Sequence, residues 1–324
     1  MKPNNFRFRR LRRTAALRDM VRETQVSVND LILPIFVEEN IAAPVTIDSM
    51  PGVVRYPESQ LADAVADAWE LGIKAVLLFG VAEHKDAIGA DTWHSEGLLA
   101  RMIKIAKVAA PEMTVISDNC FCEYTDHGHC GVVCNGDVDN DTTLANLQQQ
   151  VVNCAKAGVD MIAPSGMMDG MISAIRSALD DAGFTHIPVM SYSTKFASAF
   201  YGPFRDAVDS TFKGSRSTYQ MDAANAREAL AESMQDEQEG ADILMVKPGT
   251  AYLDVLANIR QHSERPLAVY HVSGEYAMIK AAAAAGVIDE QAIVCETMTA
   301  FKRAGADLII TYYAKDLARW LKDH

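Results

Sequence analysis

Eight short apolar runs recur along the chain, and the segments between them carry apolar residues at helical spacing. Each run is rich in Ile, Val, Leu, Met or Tyr and has few charges, which is typical of strands buried on both faces of a parallel sheet. In the segment Ser59–Leu71, for example, Leu61, Val65 and Ala68 are spaced as on one face of a helix. The predicted strands are Leu31–Phe36, Ala75–Gly80, Thr114–Asp118, Asp160–Pro164, Ile187–Tyr192, Ile243–Lys247, Leu267–Val272 and Leu308–Tyr312.

This alternation predicts an α/β protein, and the count of eight strands favours a (β/α)8 TIM barrel. An open doubly wound sheet has the same order of elements, but no G-x-G-x-x-G turn follows the first run. The 324 residues contain no internal repeat and no long Gly/Ser/Pro linker, so one domain is the simplest division. We predict an extended N-terminal arm over residues 1–30 and a single barrel domain over residues 31–324.

The net charge of −13 is unevenly distributed. Residues 1–24 carry eight Lys/Arg against Asp19 and Glu23, a net charge of +6, whereas the remainder has a net charge of −19. A basic segment of this kind binds acidic surfaces, and the nearest acidic surface is the protein itself or a neighbouring copy. We therefore predict that the arm makes oligomer contacts, and we expect no nucleic acid because nothing else in the chain is basic.

No stretch reaches the roughly 18 uncharged apolar residues that a membrane-spanning helix requires, so we expect no membrane association. No secretory signal is visible in the first 30 residues, which are arginine-rich and lack an apolar core. Six cysteines in a chain of this length are too few for a disulfide scaffold. We therefore expect a cytoplasmic protein whose cysteines are thiols.

The predicted fifth and sixth strands lead into lysines, Lys195 and Lys247, at the rim where such barrels carry their chemistry. Lysine is rarely buried, and either one alone is also explained by a snorkelling or ion-paired side chain. When two lysines lie together, desolvation and the second ammonium both lower the pKa. The neutral amine that results attacks a carbonyl to form a Schiff base. The pair therefore predicts carbonyl chemistry through an imine.

A cysteine cluster follows the predicted third strand. Cys120, Cys122 and Cys130 have the spacing C-x-C-x7-C, and two histidines lie between the last two. Three thiolates suit Zn²⁺ and leave a fourth position for water or substrate, as a catalytic site requires. A closed structural site would add Cys134 or one of the histidines. A redox disulfide and unrelated free thiols are the remaining alternatives.

These features resemble those of the porphobilinogen synthase (5-aminolevulinate dehydratase) family, zinc-dependent bacterial type. The similarity extends from residue 5 to the C-terminus and is carried by three motifs. The motifs are Asp118-Asn-Cys-Phe-Cys-Glu-Tyr-Thr-Asp-His-Gly-His-Cys-Gly131, Ser191-Tyr-Ser-Thr-Lys-Phe-Ala-Ser-Ala-Phe-Tyr-Gly-Pro-Phe-Arg205 and Met245-Val-Lys-Pro-Gly249. The resemblance implies a TIM barrel and a homo-octamer in which the arm wraps a neighbouring subunit.

The resemblance also implies the activity. Two molecules of 5-aminolevulinate would condense to porphobilinogen with loss of two waters, in tetrapyrrole (haem) biosynthesis. Lys247 would hold one substrate as an imine and Lys195 the other. Asp118, at the end of the third strand, is the nearest candidate for proton transfer, and Ser165 is a further donor at the rim. Asp118 is alternatively a residue that orients a lysine or a zinc ligand.

Substrate-binding residues are implied in the same way, and they are Arg205, Arg216, Lys213, Gln220, Ser273 and Tyr312. The two arginines, with Lys213 or Gln220 nearby, would bind one substrate carboxylate, since a guanidinium pairs bidentately with a carboxylate. Ser273 and Tyr312 would bind the other carboxylate. Each has a structural alternative, namely a surface arginine, a core tyrosine or a helix-capping serine. The segment Phe204–Gln220 is a candidate lid.

Two metals are implied. Zinc on Cys120, Cys122 and Cys130 would act as a Lewis acid, or would hold the amino group of a substrate or a hydroxide. An activating magnesium would bind Glu232, although the acidic helix that contains this residue makes a plain solvated carboxylate an equal alternative.

Two other functions fit parts of the sequence. A class I aldolase-like Schiff-base lyase with a structural zinc would need only one essential lysine. A zinc-dependent assembly protein or nucleic-acid-binding protein would use the basic arm, and its binding to polyanions would be sensitive to salt.

Overall fold

Eight parallel strands form the central sheet of the computed structural model, which describes residues 6–210 and 214–322. We number them one to eight as barrel strands. Their bounds are Leu31–Glu38, Ala75–Val81, Thr114–Asn119, Met161–Pro164, Met190–Lys195, Ile243–Lys247, Leu267–His271 and Leu308–Thr311. Short strands at Val45–Thr46 and Val54–Pro57 pair beside barrel strand one. A separate hairpin joins Val133–Cys134 to Asp137–Val138.

The order of the strands in space follows the order of the chain, and the sheet closes on itself. Strand one pairs with strands two and eight. Strand four meets strand five through a bridge between Ile162 and Val189, where the Ile162 amide donates a hydrogen bond to the Pro188 carbonyl at 3.1 Å. A sheet of eight parallel strands closed in this way is a TIM barrel, so the predicted fold is confirmed.

Helices cover the outside of the barrel, because parallel strands need crossover connections. The α-helices are Ala15–Met20, Glu58–Glu70, Leu98–Ala109, Asn140–Ala157, Met171–Asp181, Gly202–Ala207, Ala226–Glu239, Leu253–His262, Ser273–Ala284, Glu290–Ala304 and Ala314–Trp320. None of those described is long and apolar enough to cross a membrane.

Barrel strand five differs most from its predicted bounds. The apolar run predicts Ile187–Tyr192, whereas the strand is Met190–Lys195. Pro188 has no amide hydrogen to donate to a neighbouring strand, so regular pairing begins only after it. The shift lets the strand end at Lys195 itself.

The core lies inside the barrel and between the strands and the helices. Barrel strand two is buried over almost its whole length, and Val76, Leu77 and Leu78 are fully inaccessible to solvent. Burying a side chain of this kind stabilises the fold by roughly 1.5–3 kcal/mol. The apolar character of these runs therefore explains both their strand conformation and their central place in the fold.

Residues 6–30 lie outside the barrel and contain one short α-helix, Ala15–Met20. Phe6, Phe8, Leu11 and Met20 expose more than half of their side-chain surface. The boundary between arm and barrel near residue 30, and the role of the arm in assembly, stay predictions.

Candidate active site

Two lysines lie side by side at the C-terminal rim of the barrel. Lys195 ends strand five and Lys247 ends strand six, and the two are direct partners in the register of the sheet. They expose only 4% and 6% of their surface. Both line a cavity of about 280 Å³. The structure therefore brings together the two residues on which the predicted imine chemistry depends.

Aromatic rings surround the amine of Lys247. Its Nζ lies 4.3 Å from the ring centre of Tyr270, 5.1 Å from that of Tyr192 and 5.3 Å from that of Phe204. Burial and the positive charge of Lys195 lower the pKa of Lys247 to about 7. A substantial fraction of this amine is therefore neutral near neutral pH, as attack on a carbonyl requires.

Lys195 is held by the neighbouring strand ends. Its Nζ donates a hydrogen bond to the Ser165 carbonyl, and its backbone carbonyl accepts one from the Met221 amide at 3.1 Å. Ser165 follows barrel strand four. The side chain of the lysine is therefore tied to the end of strand four, and its backbone to the segment that contains Met221.

Asp118 is buried close enough to both amines to feel their charges. Its Oδ2 accepts a hydrogen bond from Ser165 Oγ at 3.1 Å. Burial raises the pKa of Asp118, and the charges of Lys247 and Lys195 oppose that rise. A carboxyl group whose charge state depends on two nearby amines is suited to hold or pass a proton between them.

The three cysteines of the loop after strand three lie together in a buried cluster. The Sγ atoms of Cys120 and Cys122 are 3.4 Å apart. The ligand atoms of Cys120, Cys122 and Cys130 all lie within 4.8 Å of one another. This separation is short enough for one ion to contact all three sulfurs.

The electrostatics of the cluster fit a divalent cation. Hydrogen bonds from Cys120 and Cys122 hold the pKa of Cys130 well below its usual value. The pKa of Cys122 is raised well above its usual value, because Cys120, Cys130 and burial all disfavour a second thiolate. Three thiols therefore do not ionise together by themselves, whereas a bound Zn²⁺ deprotonates its thiol ligands outright.

Glu123 was missed by the sequence analysis, although it lies inside the cysteine motif. It is 2% exposed, and burial and the charge of Asp118 raise its pKa to about 7. A carboxylate oxygen of Glu123 lies within 4.8 Å of a carboxylate oxygen of Asp118 and of the Cys120 sulfur. These three atoms are a second group that could hold a metal ion. The sequence signal that could have revealed Glu123 is its position in the cysteine motif, directly after Cys122.

The rings around Lys247 were also missed. Tyr192, Tyr270 and Phe204 are apolar positions of the predicted strands and lid, and the sequence does not distinguish them from ordinary core residues. Their role depends on which way each side chain points in the barrel.

Three of the predicted carboxylate-binding residues line the cavity of the lysines, namely Arg205, Arg216 and Gln220. Gln220 is 4% exposed, and its Nε2 has no hydrogen-bond partner among the described residues. Arg216 donates from Nη2 to the Gly128 carbonyl at 2.9 Å. Lys213 lies outside the described residues.

The other predicted pair does not line this cavity. Ser273 begins the helix Ser273–Ala284, donates to the Phe200 carbonyl and accepts from the Phe204 amide. The Tyr312 hydroxyl is 3.2 Å from that of Tyr270, whose ring is in contact with Lys247. Ser273 therefore bonds to the backbone near Phe204, which lines the cavity. The side chain of Tyr270 separates Tyr312 from the amine of Lys247. Their binding of a carboxylate stays a prediction.

Glu232 is remote from the lysine cavity and lies on the outer helix Ala226–Glu239. Burial and the charges of Glu228, Asp236 and Asp169 raise its pKa to about 7. The structure brings several carboxylates together here, and magnesium binding stays a prediction.

A TIM barrel that places two buried lysines and a cluster of three thiols at the C-terminal rim of its strands has the arrangement of a barrel enzyme. The sequence profile of the delta-aminolevulinic acid dehydratase family matches residues 5–320. The chain belongs to this family.

Individual relatives agree with the assignment. The delta-aminolevulinic acid dehydratase of Escherichia coli is 56% identical over 310 residues, which cover 96% of each chain. That of Bacillus subtilis is 51% identical over 318 residues, which cover 98% of each chain. The crystal structure of the enzyme from Toxoplasma gondii ME49, in complex with the reaction product porphobilinogen, has a TM-score of 0.97 and 46% identity. The match covers 99% of this chain and 93% of that one.

Proposed function

We propose that this enzyme joins two molecules of 5-aminolevulinate into porphobilinogen, with loss of two waters, through imines on Lys247 and Lys195. The single observation that carries the proposal is the placement of the two lysines as buried register partners in one cavity. Membership of the family supports the substrate and the product. The reaction is a step of tetrapyrrole biosynthesis.

The chemistry begins at Lys247, whose neutral amine attacks the ketone carbon of one substrate. Loss of water gives the imine, and the imine nitrogen makes the neighbouring carbon more acidic because it accepts the electron pair of an enamine. Lys195 holds the second substrate in the same way. Asp118 interacts electrostatically with both amines and carries protons between these steps. The aromatic rings around Lys247 exclude water from the amine.

Residues of the cavity wall bind the carboxylate of one substrate. Arg205 and Arg216 supply guanidinium groups, and Gln220 supplies a buried amide whose Nε2 hydrogens are available to a substrate oxygen. Ser273 and Tyr312 bind the second carboxylate in this proposal.

The cofactor proposal follows from the donor set. Cys120, Cys122 and Cys130 hold zinc, which when bound supplies a Lewis acid or a ligand position for the substrate amine. An activating magnesium at Glu232 is supported only by the crowded carboxylates around that residue. The cytoplasm is the proposed location, since a reducing compartment keeps the three cysteines available as thiolates.

Reductive trapping tests the mechanism. The enzyme is incubated with 5-aminolevulinate, borohydride is added, and the modified lysines are identified by mass spectrometry. We expect labelling at Lys247, with Lys280 as a control because that lysine is outside the cavity and paired with Glu290. A Lys247→Met variant loses the label and the formation of porphobilinogen.

The outcome also separates this proposal from the aldolase-like alternative. If Lys195→Met retains full activity, one imine is sufficient and the two-lysine mechanism is wrong. If neither lysine is labelled, imine chemistry is excluded.

A further inference from the structure

One short segment connects the cysteine loop with the lysine that ends strand five. We call residues Gly214–Met221 the bridging segment. At its C-terminal end Met221 donates from its amide to the Lys195 carbonyl at 3.1 Å and accepts from the Ala197 amide at 2.8 Å. The segment is therefore fixed directly to the backbone of Lys195.

The middle of the bridging segment contacts the cysteine loop in two places. Arg216 Nη2 donates to the Gly128 carbonyl at 2.9 Å. The Tyr219 hydroxyl is hydrogen-bonded to His129 Nδ1 at 3.2 Å. Gly128 and His129 immediately precede Cys130, so both contacts are made next to a predicted metal ligand.

Two further contacts are made by Tyr219 and by its neighbour Thr218. It packs directly against the buried cluster of three cysteines. The side chain of its neighbour Thr218 donates to Asp137 Oδ1 at 2.8 Å, in the hairpin that follows the loop. Tyr219 thus packs against the cysteines, and Thr218 ties the same turn to the hairpin.

Arg216, three residues before Tyr219, and Gln220, directly after it, face the substrate cavity. The amides of Tyr219 and Gln220 donate to the Arg216 carbonyl at 3.2 and 2.8 Å, so the three residues form one turn. Arg216 and Gln220 both line the cavity of the two lysines. A displacement of Tyr219 therefore moves both cavity residues with it.

We propose that Tyr219 is a positioning residue that fastens the bridging segment to the cysteine loop, so that the state of the loop is transmitted to the substrate-binding groups Arg216 and Gln220. When the loop holds its metal, Tyr219 has a fixed surface and Arg216 and Gln220 are set for a carboxylate. When the loop is empty, the contact is weakened and the bridging segment is released. This inference deepens the proposed function, because it assumes that the cavity binds substrate.

The first experiment follows backbone hydrogen exchange without any turnover. Exchange is compared in the zinc-loaded, full-length protein, in the protein after treatment with a chelator, and after zinc is restored. We expect exchange across residues 214–221 to rise at least about fivefold on chelation, the effect of losing one neutral hydrogen bond, and to return with zinc. Exchange in barrel strand two, which is buried over almost its whole length, is the internal reference.

The second experiment removes the hydroxyl alone. In Tyr219→Phe with zinc bound, we expect the same rise in exchange and a similar acceleration of zinc transfer to a coloured chelator. The KM for 5-aminolevulinate rises about fivefold while kcat changes less, because binding groups are displaced and the reacting amines are not.

Tyr313→Phe is the matched control. It also loses a bonded tyrosine hydroxyl, which donates to Glu290 Oε1 at 2.9 Å. This hydrogen bond does not involve the cysteine loop. A general loss of stability would affect both variants, whereas the proposal predicts that only Tyr219→Phe changes zinc transfer and KM.

Two results overturn the inference. One is exchange in residues 214–221 that does not respond to chelation, and the other is a Tyr219→Phe variant that behaves like Tyr313→Phe. Neither result depends on imine formation, so the inference fails separately from the proposed mechanism, which reductive trapping tests.

Discussion

The surroundings of Lys247 determine the pKa of its amine. A lysine in water is protonated at neutral pH, with a pKa of 10.5, whereas burial beside Lys195 lowers the pKa of Lys247 to about 7. The unfolded chain therefore binds a proton on this residue between about pH 7 and 10.5 that the folded chain does not. Burying the amine costs stability, and that stability is recovered as the pH rises through this range.

The pH dependence of imine formation follows from the same shift. Only the neutral amine attacks, so trapping at Lys247 falls as the pH drops below about 7 and reaches a plateau above it. The measurement is the amount of labelled Lys247 after a short incubation at a series of pH values. A midpoint near the ordinary lysine value of 10.5 would contradict the structure.

Asp118 offers a second prediction at this scale. Asp118→Asn keeps the shape of the side chain and removes its charge, so we expect kcat to fall by about 10²–10⁴, as for loss of a general acid–base group. The midpoint for trapping at Lys247 moves to lower pH, because Asp118 favours the protonated amine. An unchanged kcat would leave Asp118 with a purely structural role.

Among the elements of the fold, the loop after barrel strand three carries the proposed metal site. It places three sulfurs in contact with one another, although it contains no helix and only a short hairpin at its end. The spacing C-x-C-x7-C indicates a metal site, but only the fold shows that all three thiols are buried next to the lysine cavity. Loops of this kind are positioned by the rigid strands that precede them.

Removal of the metal ligands tests this element. Cys130→Ser removes one of three sulfurs, so we expect the protein to retain less than one zinc per chain and to lose its activity. Cys134→Ser is the matched control, because Cys134 lies in the same region and is exposed. Zinc content and activity are measured on both variants. Equal zinc content in the two would show that the cluster is not the metal site.

At the scale of the whole molecule, the exposed surface of the arm bears on assembly. Residues 6–20 expose Phe6, Phe8, Leu11 and Met20 together with several arginines, next to a body of opposite net charge. Apolar side chains exposed in one segment are typical of an interaction site. These features support the proposal that the arm docks on another copy and builds a homo-octamer.

Replacement of the apolar arm residues tests the proposal. Phe6→Ser, Phe8→Ser and Leu11→Ser are combined in one variant, and its mass is measured by light scattering coupled to size exclusion. We expect assemblies smaller than an octamer. Val108→Ser, a change at an equally exposed apolar residue outside the arm, should leave the mass unchanged. If the triple variant keeps the mass of the unmodified protein, the arm does not hold the assembly together.

Much of this protein was determined by the sequence alone. Apolar periodicity predicted eight strands and the barrel, since hydrophobic spacing reports directly on burial. Lys195, Lys247 and the three cysteines were found because charged or sulfur-containing residues stand out at strand ends. The start of strand five was placed too early, because an apolar run does not show where pairing begins.

Only the tertiary structure decided which residues meet. No pattern in the sequence distinguishes Glu123, Tyr219 or Tyr270. Their importance comes from neighbours that are distant in the chain. The same holds for the lowered pKa of Lys247, which depends on burial and on an adjacent strand. Local patterns record how a segment folds, whereas electrostatics depend on distances through space, and these exist only after the barrel has closed.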